Sequence, residues 1–144
     1  MTFTVTPTAD TALLAVQKAV VAHCRQHLSV PVFDYVPEDA PYPYVRVGEA
    51  VETPENVHGR FGRRIAFVAH VWTKGREGFG PALAIAGELQ QLFDRQQASV
   101  PIDGNRFESI RFVDARPMGD PDPLIRHVPV TLAFHTEQEP LEDS

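Results

Sequence analysis

Residues 64–73 read RIAFVAHVWT, and their alternation decides the fold. Ile65, Phe67, Ala69 and Val71 fall on one face of an extended chain. Ala66, Val68, His70 and Trp72 fall on the other, because successive side chains of a strand point to opposite faces. Both faces are largely apolar, which predicts a central strand covered on both sides. Phe67 and Trp72 are therefore expected in the structural core, and His70 is expected as a hydrogen-bonded interior residue.

Working outward, residues 44–51 (YVRVGEAV) alternate in the same way and predict a second strand. Between the two lies a polar hairpin loop, residues 52–62, with Pro54, Gly59 and Gly62. It carries Glu52 and Glu55 first and Arg60, Arg63 and Arg64 after. Before the second strand, residues 36–44 hold three prolines in VPEDAPYPY, which fix φ and push their predecessors toward extended geometry. A short strand, residues 32–34, precedes that stiff loop.

Helices flank these strands. Residues 10–28 place Leu13, Val16, Val20, Cys24 and Leu28 at three- and four-residue steps, with Leu14 and Val21 widening the stripe and Thr8 or Asp10 as a cap. Pro31 ends the helix. After a glycine-rich turn, Pro81 suits the first turn of a second helix, whose stripe is Ala82, Ile85, Ala86, Leu89, Leu92 and Phe93. Leu89 and Phe93 join the expected core. The remaining third predicts strands at 100–103, 107–116 and 125–135, with Asp103-Gly104-Asn105 as a turn and PMGDPDP (117–123) as a stiff connection. Pro129 lacks a ladder donor and argues for an edge strand or a bulge. The expectation is an α+β single domain: a mostly antiparallel, mixed β-sheet with two α-helices packed on one face, order α-β-β-β-α-β-β-β.

Composition agrees. Of 144 residues, 43% are hydrophobic and 22% charged, enough to bury one core. The formal charge is −6, and four of the 19 acids lie in residues 137–144, so the rest of the chain sets 15 acids against 13 bases. A nearly neutral body lacks the clustered cations that a nucleic-acid backbone requires. Residues 1–9 alternate threonine with apolar residues and read as an arm, residues 10–137 as the domain, and residues 138–144 as an acidic, disordered tail. No apolar run is long enough for a membrane helix, and MTFTVTPTAD lacks the basic and apolar regions of a signal peptide. The expectation is a soluble protein made in a reducing compartment.

No pattern supports catalysis. His23 and His27 are four apart on a helix, but no HExxH motif and no nearby Cys or carboxylate completes a metal set, and they read as a partly exposed pair. The lone Cys24 excludes thiolate clusters and reads as a small buried thiol. No serine lies in GxSxG, and KGREGFGPA fits neither nucleotide-binding glycine motif. Asp120 and Asp122 lack calcium-loop spacing. Arg60, Arg63 and Arg64 flank Phe61, an arrangement that suits a protein interface as well as a nucleic acid.

Three segments together resemble a known family. VFDYVPEDAPYPYVRVGE (32–49) is similar to its strand followed by a proline-tyrosine step, with Asp34, Pro37, Pro43 and Tyr44 in the matching places. RRIAFVAHVWTKGREGFGPALAIAGELQQLF (63–93) resembles its strand, glycine turn and helix, with Trp72 in the tryptophan position. FVDARPMGDPDPLIRHVPVTLAFHTE (112–137) resembles its closing hairpin. The family is the tail-completion, or tail-terminator, family of long-tailed phages and prophages, and the resemblance covers about residues 10–137. It implies a structural virion protein in the tail's neck region, assembled in the host cytoplasm, with no enzymatic activity, cofactor or metal. The implied partners are itself in a homohexameric ring, the major tail tube protein and a head–tail connector or neck protein. DNA would only pass through the lumen, and no membrane is involved. The alternatives are another neck component, such as a head-completion or adaptor protein, or a small ligand-binding α+β domain. Loops free of the core would carry the contacts. The expected interface residues are Pro37, Tyr42, Pro43, Glu52, Glu55, Arg60, Arg63, Arg64, Asp120 and Asp122, with the acids of residues 52–62 meeting the bases of the next subunit.

Overall fold

Along the chain the elements are α1 (Leu13–His27), β1 (Val32–Phe33), β2 (Tyr44–Pro54), β3 (Gly62–Lys74), α2 (Gly80–Phe93), β4 (Asn105–Ala115), β5 (Met118–Gly119) and β6 (Ile125–Gln138). This is the α-β-β-β-α-β-β-β order that periodicity predicts. The computed structural model describes residues 8–56 and 59–139. The strands form one sheet in the order β1-β2-β3-β6-β4, with β5 beside β6. β1 runs parallel to β2 and every other pairing is antiparallel, so the sheet is mixed.

One face of the sheet builds the core. Val45 and Val47 of β2, Ile65, Phe67, Ala69 and Val71 of β3, and Val128, Val130, Leu132 and Phe134 of β6 are all buried there. α2 closes that face with Ala82, Ile85, Ala86, Leu89 and Phe93, and α1 with Val16, Ala19, Val20 and Cys24. Phe134 sits at the centre, with ring centroids 5.5 Å from Phe107, 6.1 Å from Phe93 and 6.2 Å from Phe67. Burial pushes the Cys24 thiol up to about 12, as expected of an inert apolar thiol.

Several expectations change. β3 is central, but neither helix covers its second face: Arg64 and Ala66 are exposed, and Val68 and Trp72 half-buried. Trp72 is therefore not part of the helix-covered core.

Residues 100–103 form no strand. Val100 is an isolated buried anchor, Pro101 supplies no donor, and Gly104 turns the chain at φ 68° straight into β4. The sixth strand is instead β5, within the loop expected at 117–123.

Pro129 lies in an interior strand, not at an edge. Its carbonyl accepts from Arg116 N at 3.1 Å, on the side where β4 has ended and β5 has not begun. A strand residue aims N and O to the same side, so the missing N–H faces that gap and the ladder to β3 loses nothing.

His23 is buried rather than partly exposed. Its ring meets Phe93 of α2 edge-on at 5.4 Å, while His27 remains exposed. Burial and the neighbouring His27 lower its pKa. α1 starts at Leu13 with no side-chain cap of its own. The carboxylate of Glu52 reaches across instead, accepting from Thr11 Oγ1 at 2.7 Å and Ala12 N at 2.8 Å.

Thr136 gives one test of the core. Its side chain is fully buried under the helices, and its Oγ1 has no hydrogen-bond partner among the described residues. Thr136→Val removes that unpaired hydroxyl at nearly constant shape. It should stabilise the protein by about 1 kcal/mol in chemical denaturation.

Candidate assembly surfaces

Strand register sorts the expected interface residues onto two ends of the sheet. Tyr44 of β2 pairs with Trp72, Trp72 with His127, and His127 with Met118. The loop 34–43 and the loop 117–124 therefore meet at one end. At the other, Pro54 pairs with Arg63 and Arg63 with Thr136, which places the hairpin 55–61 there. β3 is 13 residues long, so the two ends lie roughly 40 Å apart.

At the first end, Pro37 and Pro43 are exposed and Tyr42 half-buried. Tyr42 lies against Tyr44 with centroids 5.3 Å apart, and Lys74 Nζ sits 5.9 Å from the Tyr42 ring. The Tyr42–Pro43 peptide is cis. Asp120 and Asp122 serve the turn itself: Asp120 Oδ1 accepts from Asp122 N at 3.0 Å, and Asp122 Oδ1 from Leu124 N at 2.9 Å.

At the second end most charges are already paired within one chain. Arg63 Nε lies 3.4 Å from Glu52 Oε1, with both side chains largely buried. Arg60 Nη1 and Arg106 Nη2 converge on Glu137 Oε2 at 3.0 and 2.9 Å and hold its carboxyl below the usual range. Glu55 Oε2 lies 3.8 Å from His135 Nε2. The order of acids first and bases after is what a folded hairpin needs to set opposite charges side by side across β2 and β3. Of the charged residues expected at the interface from this hairpin, Arg64, exposed on the open face, is the one that forms no ion pair among the described residues.

The open face also carries a cluster that spacing alone conceals. His70 Nε2 donates to Glu49 Oε2 at 2.7 Å, which leaves His70 Nδ1 of the neutral ring to accept from His127 Nε2 at 2.7 Å. The His127 ring lies flat on Trp72, with centroids 3.9 Å apart and planes 5° from parallel. Arg46 Nη2 approaches Glu49 at 3.6 Å. Glu49 sits where the β2 register slips between Val47 and Ala50, and that slip brings its carboxylate back to His70. Nothing in the linear spacing of residues 49, 70 and 127 signals this; only the register unites them. Among the described residues no three ligating side chains are placed to hold a metal ion.

Burial first, then the neighbouring His70 and Arg46, lower the His127 pKa below 6.5. The unfolded chain thus takes up this proton before the folded one. Stability from His127 is complete above about pH 6.5 and falls as pH drops below it. The His70 hydrogen bond holds the Glu49 carboxyl at about 2, so its share is lost as pH falls from 4.5 toward 2. That share is small, because the Glu49 side chain is 67% exposed. Trp72 is the sole tryptophan. Its emission should fall below pH 6.5 as a cationic imidazole comes to stack on the indole. The pH dependence should vanish in His127→Gln.

A family model described as "Tail completion protein gp17" matches residues 9–137. The chain belongs to the phage tail-completion family. That is a family of structural phage tail proteins. Two solved structures share the fold of this tail-completion chain. One is a chain of the "Virion of native gene transfer agent (GTA) particle", at TM-score 0.77 and 21% identity, covering 90% of this chain and 99% of that one. The other is the "bacteriophage SPP1 gp17 protein", at TM-score 0.55 and 22% identity, covering 92% and 94%. Among curated proteins no match is found.

Proposed function

We propose that this tail-completion chain is a tail terminator: six copies close a ring on the head-proximal end of the tail tube, stop its growth and present the surface that joins the head. The family match over residues 9–137 carries the reading. Its architecture supports it. One sheet face is committed to the helices and the other is open, with Val51 and Val113 62% and 54% exposed beside Ala66, Arg64 and Arg111. A flat, partly apolar face of this kind suits packing against another protein. Loops at opposite ends of the sheet suit a subunit that meets the tube on one side and the neck on the other. Closure requires a heterologous interface, one patch of each copy meeting a different patch of the next. DNA would cross the lumen without arrest, past a nearly neutral body.

Cryo-electron microscopy of intact particles tests this reading. A sixfold ring of this chain at the head end of the tube is expected. Another symmetry there, or absence of the chain from the particle, would overturn it. The open face is tested by Arg64→Glu with Arg111→Glu. Both are exposed and neither forms an ion pair among the described residues, so stability should change by under about 0.5 kcal/mol. Tails should become abnormally long or headless. Normal tails and infectivity would remove this face from the interface.

A further inference from the structure

Strand register gathers positive charge on the open face of the sheet. Arg64 of β3, His135 of β6 and Ser109 of β4 pair across the sheet in one row. Ala66, Ala133 and Arg111 make the next row on the same face, two residues along each strand. The short Ala133 side chain floors a depression of about 320 Å³, walled by Arg64, Ser109 and Arg111, with Glu55 beside His135 at its rim. Neither Arg64 nor Arg111 forms an ion pair among the described residues. Glu55 offsets one of the two guanidinium charges, so the depression stays positive. Covering such a face is costly unless the partner brings acids to it.

The matching acids are in the same chain. Residues 34–43 hold Asp34, Glu38 and Asp39 and no base. Ala40 N donates to Pro37 O at 3.1 Å, and this turn sets Glu38 and Asp39 at its tip. Both are exposed and neither forms an ion pair among the described residues. Tyr35, close by in the loop, is 82% exposed. Pro37, Pro41 and Pro43 stiffen the segment, so docking it loses little conformational entropy. The acids of the loop 117–124 are less suited, because Asp120 and Asp122 each accept from the backbone of their own turn. Within one chain the acids and the arginines are held apart. The loop 34–43 leads into Tyr44, which pairs with Trp72, and Arg64 lies eight residues from Trp72 along β3, about 26 Å.

We propose that the loop 34–43 of one copy docks on the open face of the next copy, with Glu38 and Asp39 meeting Arg64 and Arg111 and Tyr35 lying on the alanines between them. This contact presupposes the ring and supplies its interface: the two patches differ, as head-to-tail closure requires. Tyrosine and arginine are also the side chains that most often dominate binding energy at protein interfaces.

Charge exchange tests the contact in particles assembled with the full chain. Glu38→Arg with Asp39→Arg is the loop variant, and Arg64→Glu with Arg111→Glu is the face variant. All four side chains are exposed, so each variant should fold like the parent, which thermal denaturation checks. Each variant alone sets like charges against each other and should lower the yield of normal-length, head-bearing tails about tenfold or more. Combining the two in one chain restores opposite charges at every contact and should recover most of that yield. Co-expressing the two variants should do the same, because they complement each other alternately around a ring with an even number of copies. Normal tails from the loop variant would overturn the contact. So would a combined variant no better than the face variant alone; the face would then meet another partner, such as the tail tube, and the ring would stand. Recovery in the combined chain without recovery on co-expression would uphold the contact and overturn the ring of six.

Discussion

Phe134→Ala is expected to cost about 3–5 kcal/mol and to leave the protein close to unfolded at physiological temperature. Phe134 is fully buried in the middle of β6 and contacts the rings of Phe67, Phe93 and Phe107, which come from β3, α2 and β4. It is thus the side chain through which three elements meet β6. Alanine would remove most of a large ring and leave a void that these neighbours cannot fill, because each is held by its own backbone ladder or helix. The lost edge-to-face contacts add to the cavity term. Equilibrium denaturation of the isolated protein measures the loss. Phe134→Leu, which keeps most of the volume, should recover more than half of it. A loss below about 1 kcal/mol for the alanine variant would mean that the core is centred elsewhere.

Much of this core was legible in the sequence. Ile65, Phe67, Ala69 and Val71 are buried as the period-two alternation requires. Ile85, Leu89 and Phe93 are buried as the helical stripe requires. These readings work because burial on one face imposes a short period that a single strand or helix displays by itself.

The second face of the sheet was misread for the converse reason. Ala66, Val68 and Trp72 look like core residues, yet apolar character in a strand does not say what covers it, and neither helix lies there. The charges of the hairpin pair within one chain in a way that composition does not show. Glu52 and Arg63 are separated in sequence and neighbours across a ladder, and their pairing within one chain needs register as well as composition. Pro129 looked like an edge signal because a lost donor ordinarily breaks a ladder. The gap between β4 and β5 gives that donor nothing to bond.

The Glu49–His70–His127 cluster shows the same limit most sharply, and Gly48 is its most sensitive point. A Cβ placed on Gly48 would lie 2.6 Å from His70 Cδ2 and 2.7 Å from His70 Nε2, with Val68 O 3.3 Å away. The imidazole cannot yield cheaply. It is 8% exposed, bonded to Glu49 through one nitrogen and to His127 through the other. Gly48→Ala must therefore turn the ring out of both bonds or push β2 away from β3 at the register slip. Losing two hydrogen bonds of a buried polar group should cost about 2–4 kcal/mol. It should also free His127 from His70, so that the Trp72 emission titrates closer to the ordinary histidine range near 6.5. Thermal denaturation and the fluorescence titration read the two effects on the same sample. His70→Ala makes the decisive control. With the ring removed, the added methyl meets only Val68 O at 3.3 Å, and Gly48→Ala should then cost under about 1 kcal/mol, the signature of two residues coupled through contact. An equal cost in both backgrounds would show that Gly48 is required by the backbone at the slip and not by the histidine packed against it.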